Sequence, residues 1–300
     1  NVLAAKFYGA GDTQNVQETV HTSILMAAIG GCIMVVVGIL LARPMLEWMD
    51  TPADVLDQAV LYMRIYFLGM PAFMVYNFGA SVLRAVGDTK HPLYFLLFSG
   101  IANVGLNLFF VIVFGLGVAG VAIATVISQY ISAVLILRSL CRMEGACHLQ
   151  FSKLRIHKDK LIFILRMGLP AGLQSVIFNI SNVLIQSSVN SFGSLVMAGN
   201  TAASNIEGFV YAAMNAVYQT SLSFTSQNMG ARKYGRIDRI FLQCVLLVTF
   251  IGLVLGNGVY WLRNQLLGIY SPDPEVIAWG MIRMGIVCVY YCLCGIMDVI

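Results

Sequence analysis

Apolar residues run along this chain in long stretches, separated by short clusters of turn-forming and charged residues. A helix needs about 20 apolar residues to cross a hydrocarbon layer about 30 Å thick. Runs of that length fall near 20–42, 58–83, 92–114, 117–140, 161–190, 196–226, 238–262 and 277–300. Turn chemistry separates them: Arg43-Pro44, Thr51-Pro52, Gly87-Asp88, Gly115-Leu116-Gly117, Phe192-Gly193-Ser194, Gly230 and Ser271-Pro272-Asp273-Pro274. The pattern predicts eight membrane-spanning helices. An all-α bundle follows, because lipid offers no partner to free backbone groups.

Composition supports this reading. Of 300 residues, 59% are hydrophobic and 11% charged, where a soluble domain carries about 25% charged residues. Mean hydropathy is +0.81. The seven cysteines show neither a disulfide framework nor a CxxC pair. Net charge is only +4, but its placement is informative. With eight crossings, all but four of the 18 Lys and Arg residues fall at one side. Arg43 and Arg263 lie at the other, and Arg64 and Arg283 lie within spans near it. The positive-inside rule makes the first side cytoplasmic. The chain is therefore expected to be a multi-pass protein of a plasma membrane.

Residues 21–52 and 241–272 align without a gap: Gly38 with Gly258, Arg43 with Arg263, Thr51-Pro52 with Ser271-Pro272. Downstream, Arg64 matches Arg283. So long a period suggests two homologous transporter halves, of six spans each. The expected organisation is an N-terminal lobe at 1–145, a cytoplasmic linker at 146–160 and a C-terminal lobe at 161–300. Asn1 and Ile300 both abut helical runs. The chain is expected to be a piece of a twelve-span protein that should not pump on its own.

Ionisable groups deep in a span are costly, and each is a functional-site hypothesis. Two acids lie that deep, Glu207 and Asp298. Either could bind a coupling cation, Na+ included; either could instead be a protonated or paired group that ties helices together. Asn200, Ser204, Glu207, Tyr211, Asn215 and Tyr218 advance by three or four, so they share one helical face. Ser175, Asn179, Asn182, Gln186 and Asn190 do the same on the preceding span. Two such stripes predict a water-accessible cavity between helices. Asp298 follows Tyr291 on one face, and the position equivalent to Asp298 in the first half is Gly79. Asn103 and Asn107, one turn apart, and Thr125 on the next span form a first-half polar group. Tyr62, Tyr66, Phe73 and Asn77 could also line a cavity. The basic stretch 138–166 could meet anionic lipid or simply connect the halves.

Several short motifs occur in order along the chain: Phe7-Tyr8-Gly9-Ala10-Gly11-Asp12, Leu83-Arg84-Ala85-Val86-Gly87-Asp88-Thr89, Asn103 to Asn107, Gly117 to Gln129, Gly168-Leu169-Pro170 and Ser226 to Ala231. Together they make the sequence resemble the multidrug and toxic compound extrusion (MATE) family. The resemblance implies the third to tenth of twelve helices. It also implies a two-lobed bacterial exporter, both ends of the complete chain being cytoplasmic. The family's cation-linked acid of the tenth helix falls on Asp298, and its first-lobe polar cluster on Asn103, Asn107 and Thr125. Asn107 replaces the Asp of proton-coupled members. The acid that some members carry on the seventh helix is absent, and Glu207 on the eighth could take over its role.

The expected function is cation-coupled (Na+ or H+) antiport of organic, often cationic, compounds out of the cell. A lipid-linked oligosaccharide flippase of the same superfamily is the alternative. The expected partners are small organic substrates and the bilayer. No cofactor, no nucleic acid and a monomeric state are expected. The sequence has no HExxH spacing, no paired-acid motif and no Walker-type loop, so neither an intramembrane enzyme nor an ATP-driven pump is expected.

Overall fold

The computed structural model describes residues 1–48 and 53–300. Asp50 and the expected Thr51-Pro52 break lie outside the described residues, as do the side chains of Asp54 and Asn190. Among the described residues every regular element is a helix: α1 (Val2–Gly9), α2 (Thr13–Trp48), α3 (Ala53–Phe67), α4 (Met70–Ala85), α5 (Lys90–Leu108), α6 (Gly117–Arg142), α7 (Lys158–Asn190), α8 (Ser194–Gly230), α9 (Tyr234–Tyr270), α10 (Pro274–Val287) and α11 (Tyr291–Val299). A π turn, Phe109–Val113, extends α5, and a 3-10 turn, Cys288–Tyr290, joins α10 to α11.

The protein is an all-α polytopic membrane protein, but its spans differ in detail from the expected eight. Among the described residues six helical stretches are long and apolar enough to cross a membrane, or seven when α3 and α4 count as one span bent by 44°. α8 is not among them, although it has 37 residues. Its own polar stripe lowers its hydropathy. The bend between α3 and α4 falls at Leu68-Gly69, just before Pro71, which has no N–H to donate. At the bend Tyr130 donates its hydroxyl to the Leu68 carbonyl at 3.1 Å. Pro44, expected to end a span, lies inside α2. There Arg43 and Glu47 pair at 2.9 Å on either side of it, close to the helix end.

The chain divides into two compact units, Asn1–Ile164 and Leu165–Ile300. In the first, Val16, Val20, Ile24 and Ala27 form the buried stripe of α2. It packs with Val75 and Leu83 of α4, Ile136 and Leu140 of α6, and Cys147 and Leu149 from the segment after α6. Burial pushes the Cys147 thiol up to about 11. In the second unit, Ala203 and Ile206 of α8 pack on Leu267, Met284 and Cys288. Met214 and Val217 pack on Cys244, Val248 and Val299. Most of α7 is exposed along its length.

Within the first unit, the segment from the end of α6 to the start of α7 is anchored to the N-terminal end of α2. His21 bonds the Gln17 carbonyl through Nδ1 at 2.7 Å, and the Gln150 N–H donates to its Nε2 at 3.1 Å. His157 N–H donates to Thr22 Oγ1 at 3.2 Å. Lys160 donates to Asn15 and Asp159 and lies 4.7 Å above the Phe7 ring. At the start of α2, Asp12 accepts the Asn15 side-chain and backbone N–H groups. These bonds hold its carboxyl below the usual carboxylate range. Asp12 therefore keeps its charge, and the cap its strength, until pH falls through that lowered value.

Small residues let backbones approach where lipid gives helices no hydrophobic reason to associate. A Cβ at Gly31 of α2 would lie 2.4 Å from Pro71 Cα of α4. In the second unit, one at Gly199 would lie 2.6 Å from the Val276 carbonyl oxygen, and one at Gly252 2.7 Å from Cys292 Cα. The obstacle at Gly31 is backbone, so no rotamer change relieves it. Gly31→Ala is expected to cost roughly 1–3 kcal/mol through overpacking. Thermal unfolding of the full-length protein in detergent would show this as a lowered midpoint; an unchanged midpoint would contradict the tight α2–α4 contact.

Candidate functional site

In the second unit α8 and α10 bring together two groups that neither could bury alone. The Glu207 side chain is 6% exposed and that of Arg283 31%. Arg283 donates through Nε to both carboxylate oxygens, at 3.1 and 3.3 Å, and through Nη2 to Oε2 at 2.8 Å. Its Nη1 donates to Asn200 Oδ1 at 2.6 Å. Asn200 in turn donates to Gln186 Oε1 of α7 at 3.2 Å. A continuous polar network thus crosses α7, α8 and α10. Its charges cancel, and the fork of the guanidinium fixes its geometry.

The α7 stripe enters this network at Gln186. Asn179 and Asn182 are exposed, and Asn179 donates to the Ser175 carbonyl of its own helix. On α8, Ser204 donates to the Asn200 carbonyl at 2.9 Å, Asn215 is half-buried and Tyr211 is exposed. The Gln186–Asn200 bond joins the two stripes.

Asp298 lies apart from the network, on α11. Its Oδ2 is buried and has no hydrogen-bond partner. Tyr291, two turns earlier, is half-buried. Among the described residues no three His, Cys, Asp or Glu side chains converge. An ion at Asp298 would draw its other ligands from hydroxyl, carbonyl or water oxygens, which suit a hard cation. At Gly79, the position aligned with Asp298, a Cβ would lie 2.8 Å from Ile136 Cγ1. The first unit therefore has no room for the equivalent acid.

In the first unit a cavity of about 520 Å³ lies among α4, α5 and α6. Asn77, Arg84, Asn103, Thr125, Ser128 and Gln129 supply its polar wall. Asn107 donates to Asn103 Oδ1 at 3.0 Å, and Asn103 to Ser128 Oγ at 3.3 Å. Thr125 donates to its own helix at Val121. The Oδ1 of Asn107, Oε1 of Gln129 and Nε of Arg84 are buried without partners. Phe73 joins Asn77 in the wall, whereas Tyr62 and Tyr66 stack on each other with ring centres 6.1 Å apart.

The MatE family pattern matches residues 1–109 and 170–300. The chain belongs to this family of membrane transporters. It is 27% identical over 286 residues to the probable multidrug resistance protein YoeA of Bacillus subtilis, covering 92% of this chain and 61% of that protein. To YpnP of the same organism, also named a probable multidrug resistance protein, it is 29% identical over 260 residues, covering 86% of this chain and 58% of that protein. The chain thus spans about three-fifths of the length of these relatives. A crystal structure of a variant of the Vibrio cholerae MATE transporter VcmN superposes with a TM-score of 0.91 at 22% identity, covering 99% of this chain and 68% of that one. At that identity the likeness establishes the fold.

Within this MATE fold, Arg283 is the residue whose role the sequence concealed. It was visible as an intramembrane cation and Glu207 as an intramembrane acid. An intramembrane cation needs an intramembrane acid, but with both Glu207 and Asp298 in the same lobe the sequence does not say which one Arg283 meets. Arg84 and Ser128 were likewise hidden inside quoted motifs. Neutralising one member of the α8–α10 pair leaves the other charge unmatched. For fully buried pairs such a loss costs about 3–5 kcal/mol. Because Arg283 is partly exposed, Glu207→Gln or Arg283→Gln is expected to cost about 1–3 kcal/mol. The double variant should recover part of that loss. Thermal unfolding of all four proteins checks it; additive losses would show that the pair is not coupled.

Proposed function

We propose that the complete protein exports small organic compounds, often cationic, by antiport against Na+ or H+, with Asp298 as the coupling acid. The observation that supports this most strongly is the buried, unpartnered Oδ2 of Asp298. A buried acceptor without a partner costs about 1–3 kcal/mol, and an incoming cation or proton removes that cost. Glu207 differs, since Arg283 already supplies its counter-charge. A cation could bind Glu207 only by displacing a three-bond guanidinium, so its part is to hold α8 against α10. This reading moves the coupling role from two acids to one.

In this reading α2, α3 with α4, α5, α6, α7, α8, α9, and α10 with α11 each cross the bilayer once. Those eight crossings place most basic residues on the cytoplasmic side, in a bacterial plasma membrane. The aligned segments 21–52 and 241–272 make the two units homologous halves, six-span when complete. The first-unit cavity, with the unpartnered amide oxygen of Gln129 in its wall, offers an acceptor to a substrate ammonium or hydroxyl. A lipid-linked oligosaccharide cargo would call for several cations, and among the described residues Arg84 is the single Lys or Arg in that cavity wall.

The neutralised, ion-bound form of Asp298 would favour release of a cationic substrate. Moving each charge across the membrane contributes about 2.3 kcal/mol per 100 mV. Asp298→Asn in the full-length protein is expected to reduce gradient-driven substrate efflux from vesicles to the background rate. Imposing Na+ and pH gradients separately on the unsubstituted protein identifies the driving ion. Undiminished efflux by the Asn variant would refute the role of Asp298.

A further inference from the structure

At the end of α6, Arg138 and Arg142 lie one turn apart on the same face, both exposed. Neither makes a hydrogen bond or an ion pair among the described residues. With Asp88, His91, Phe95 and Leu135 they line a cavity of about 410 Å³ between the C-terminal end of α6 and the N-terminal end of α5. Asp88, the acid in this wall, is already engaged. It accepts the backbone N–H of His91 at 3.2 Å and bonds the His91 ring Nδ1 at 2.6 Å. The two guanidinium charges are therefore left open.

The surroundings are apolar on one side. Phe95 and Leu135 form part of the wall, and Phe98 of α5, near the same helical face one turn on from Phe95, is 59% exposed. A membrane-spanning helix presents such residues to acyl chains. A cationic notch at the end of a span, next to an acyl-facing surface, has the chemistry of a phospholipid headgroup site. Two guanidinium forks one turn apart suit a single phosphodiester, which accepts paired N–H bonds from each.

We propose that this cavity binds the phosphodiester of an anionic phospholipid, held by Arg138 and Arg142, with an acyl chain lying along α5. The site is separate from the transport residues and does not depend on the coupling ion. Its occupancy would fix the α5–α6 ends, which flank the Asp88 turn.

The test titrates phosphatidylglycerol into the full-length protein in a zwitterionic detergent, with phosphatidylcholine and inorganic phosphate as parallel ligands. Arg138→Gln/Arg142→Gln is expected to weaken phosphatidylglycerol binding by about twenty-five-fold, since each surface cation contributes about fivefold. Binding of phosphatidylcholine should not change. Arg236→Gln/Arg239→Gln, an exposed pair on α9, should leave phosphatidylglycerol binding within about threefold. Hydrogen exchange on the unsubstituted protein, which requires no variant, should slow at 88–95 and 135–143 when phosphatidylglycerol is added. An equal loss from the α9 pair, no change in exchange, or displacement of the lipid by equimolar inorganic phosphate would each overturn the proposal.

Discussion

An isolated charge at the level of Glu207 in the bilayer would cost several kcal/mol, and Arg283 removes that cost by meeting it with three hydrogen bonds. The arrangement of the second unit depends on this pairing. It sets α8 and α10 in register, so that Asn200 falls under the free arm of the guanidinium and Gln186 of α7 can follow. The same pair of helices packs closely beside the charges. Gly199 admits the α10 backbone, and Ala203 and Ile206 pack with Met284. A polar clasp next to these close small-residue contacts gives the helices direction as well as attraction. Packing of small residues alone would leave them free to slide.

Cancellation of charge in one place makes an uncompensated group elsewhere more telling. Asp298 forms no ion pair among the described residues and has one buried oxygen without a partner, on a short helix that follows a 3-10 turn. The first unit offers acceptors instead of acids. Its cavity contains the amides and hydroxyls of Asn77, Asn103, Thr125 and Ser128, with one cation, Arg84, in its wall. The two units therefore carry different chemistry. Crowding of Ile136 against Gly79 explains why the acid has no counterpart in the first.

Apolar run length located nearly every helix, because a bilayer demands a minimum length and full internal hydrogen bonding. It failed where that rule conflicts with another. The run at 196–226 does fall in the 37-residue α8, but the polar stripe that marked it as interesting keeps it out of the set of helices that are apolar enough to cross on hydropathy alone. Pro44 signalled a break, yet it falls so near the end of α2 that the helix tolerates it. Periodicity put Asn179, Asn182 and Gln186 on one face, but a face does not say what lies opposite. Gln186 is the member shown reaching α8, through Asn200. The Glu207–Arg283 contact joins residues 76 positions apart, and no local spacing encodes it. An energetic rule narrows it: an intramembrane cation needs an intramembrane acid, Glu207 or Asp298.

The division of labour between the two acids is the central claim, and ion binding at equilibrium tests it most directly. Radioactive sodium binding and proton uptake would be measured on the full-length protein, on Asp298→Asn and on the charge-neutral pair Glu207→Gln/Arg283→Gln. Loss of the bound cation or proton in Asp298→Asn, with its retention in the paired variant, is the expected result. Retention in Asp298→Asn with loss in the paired variant would place the coupling site at Glu207 and contradict the assignment.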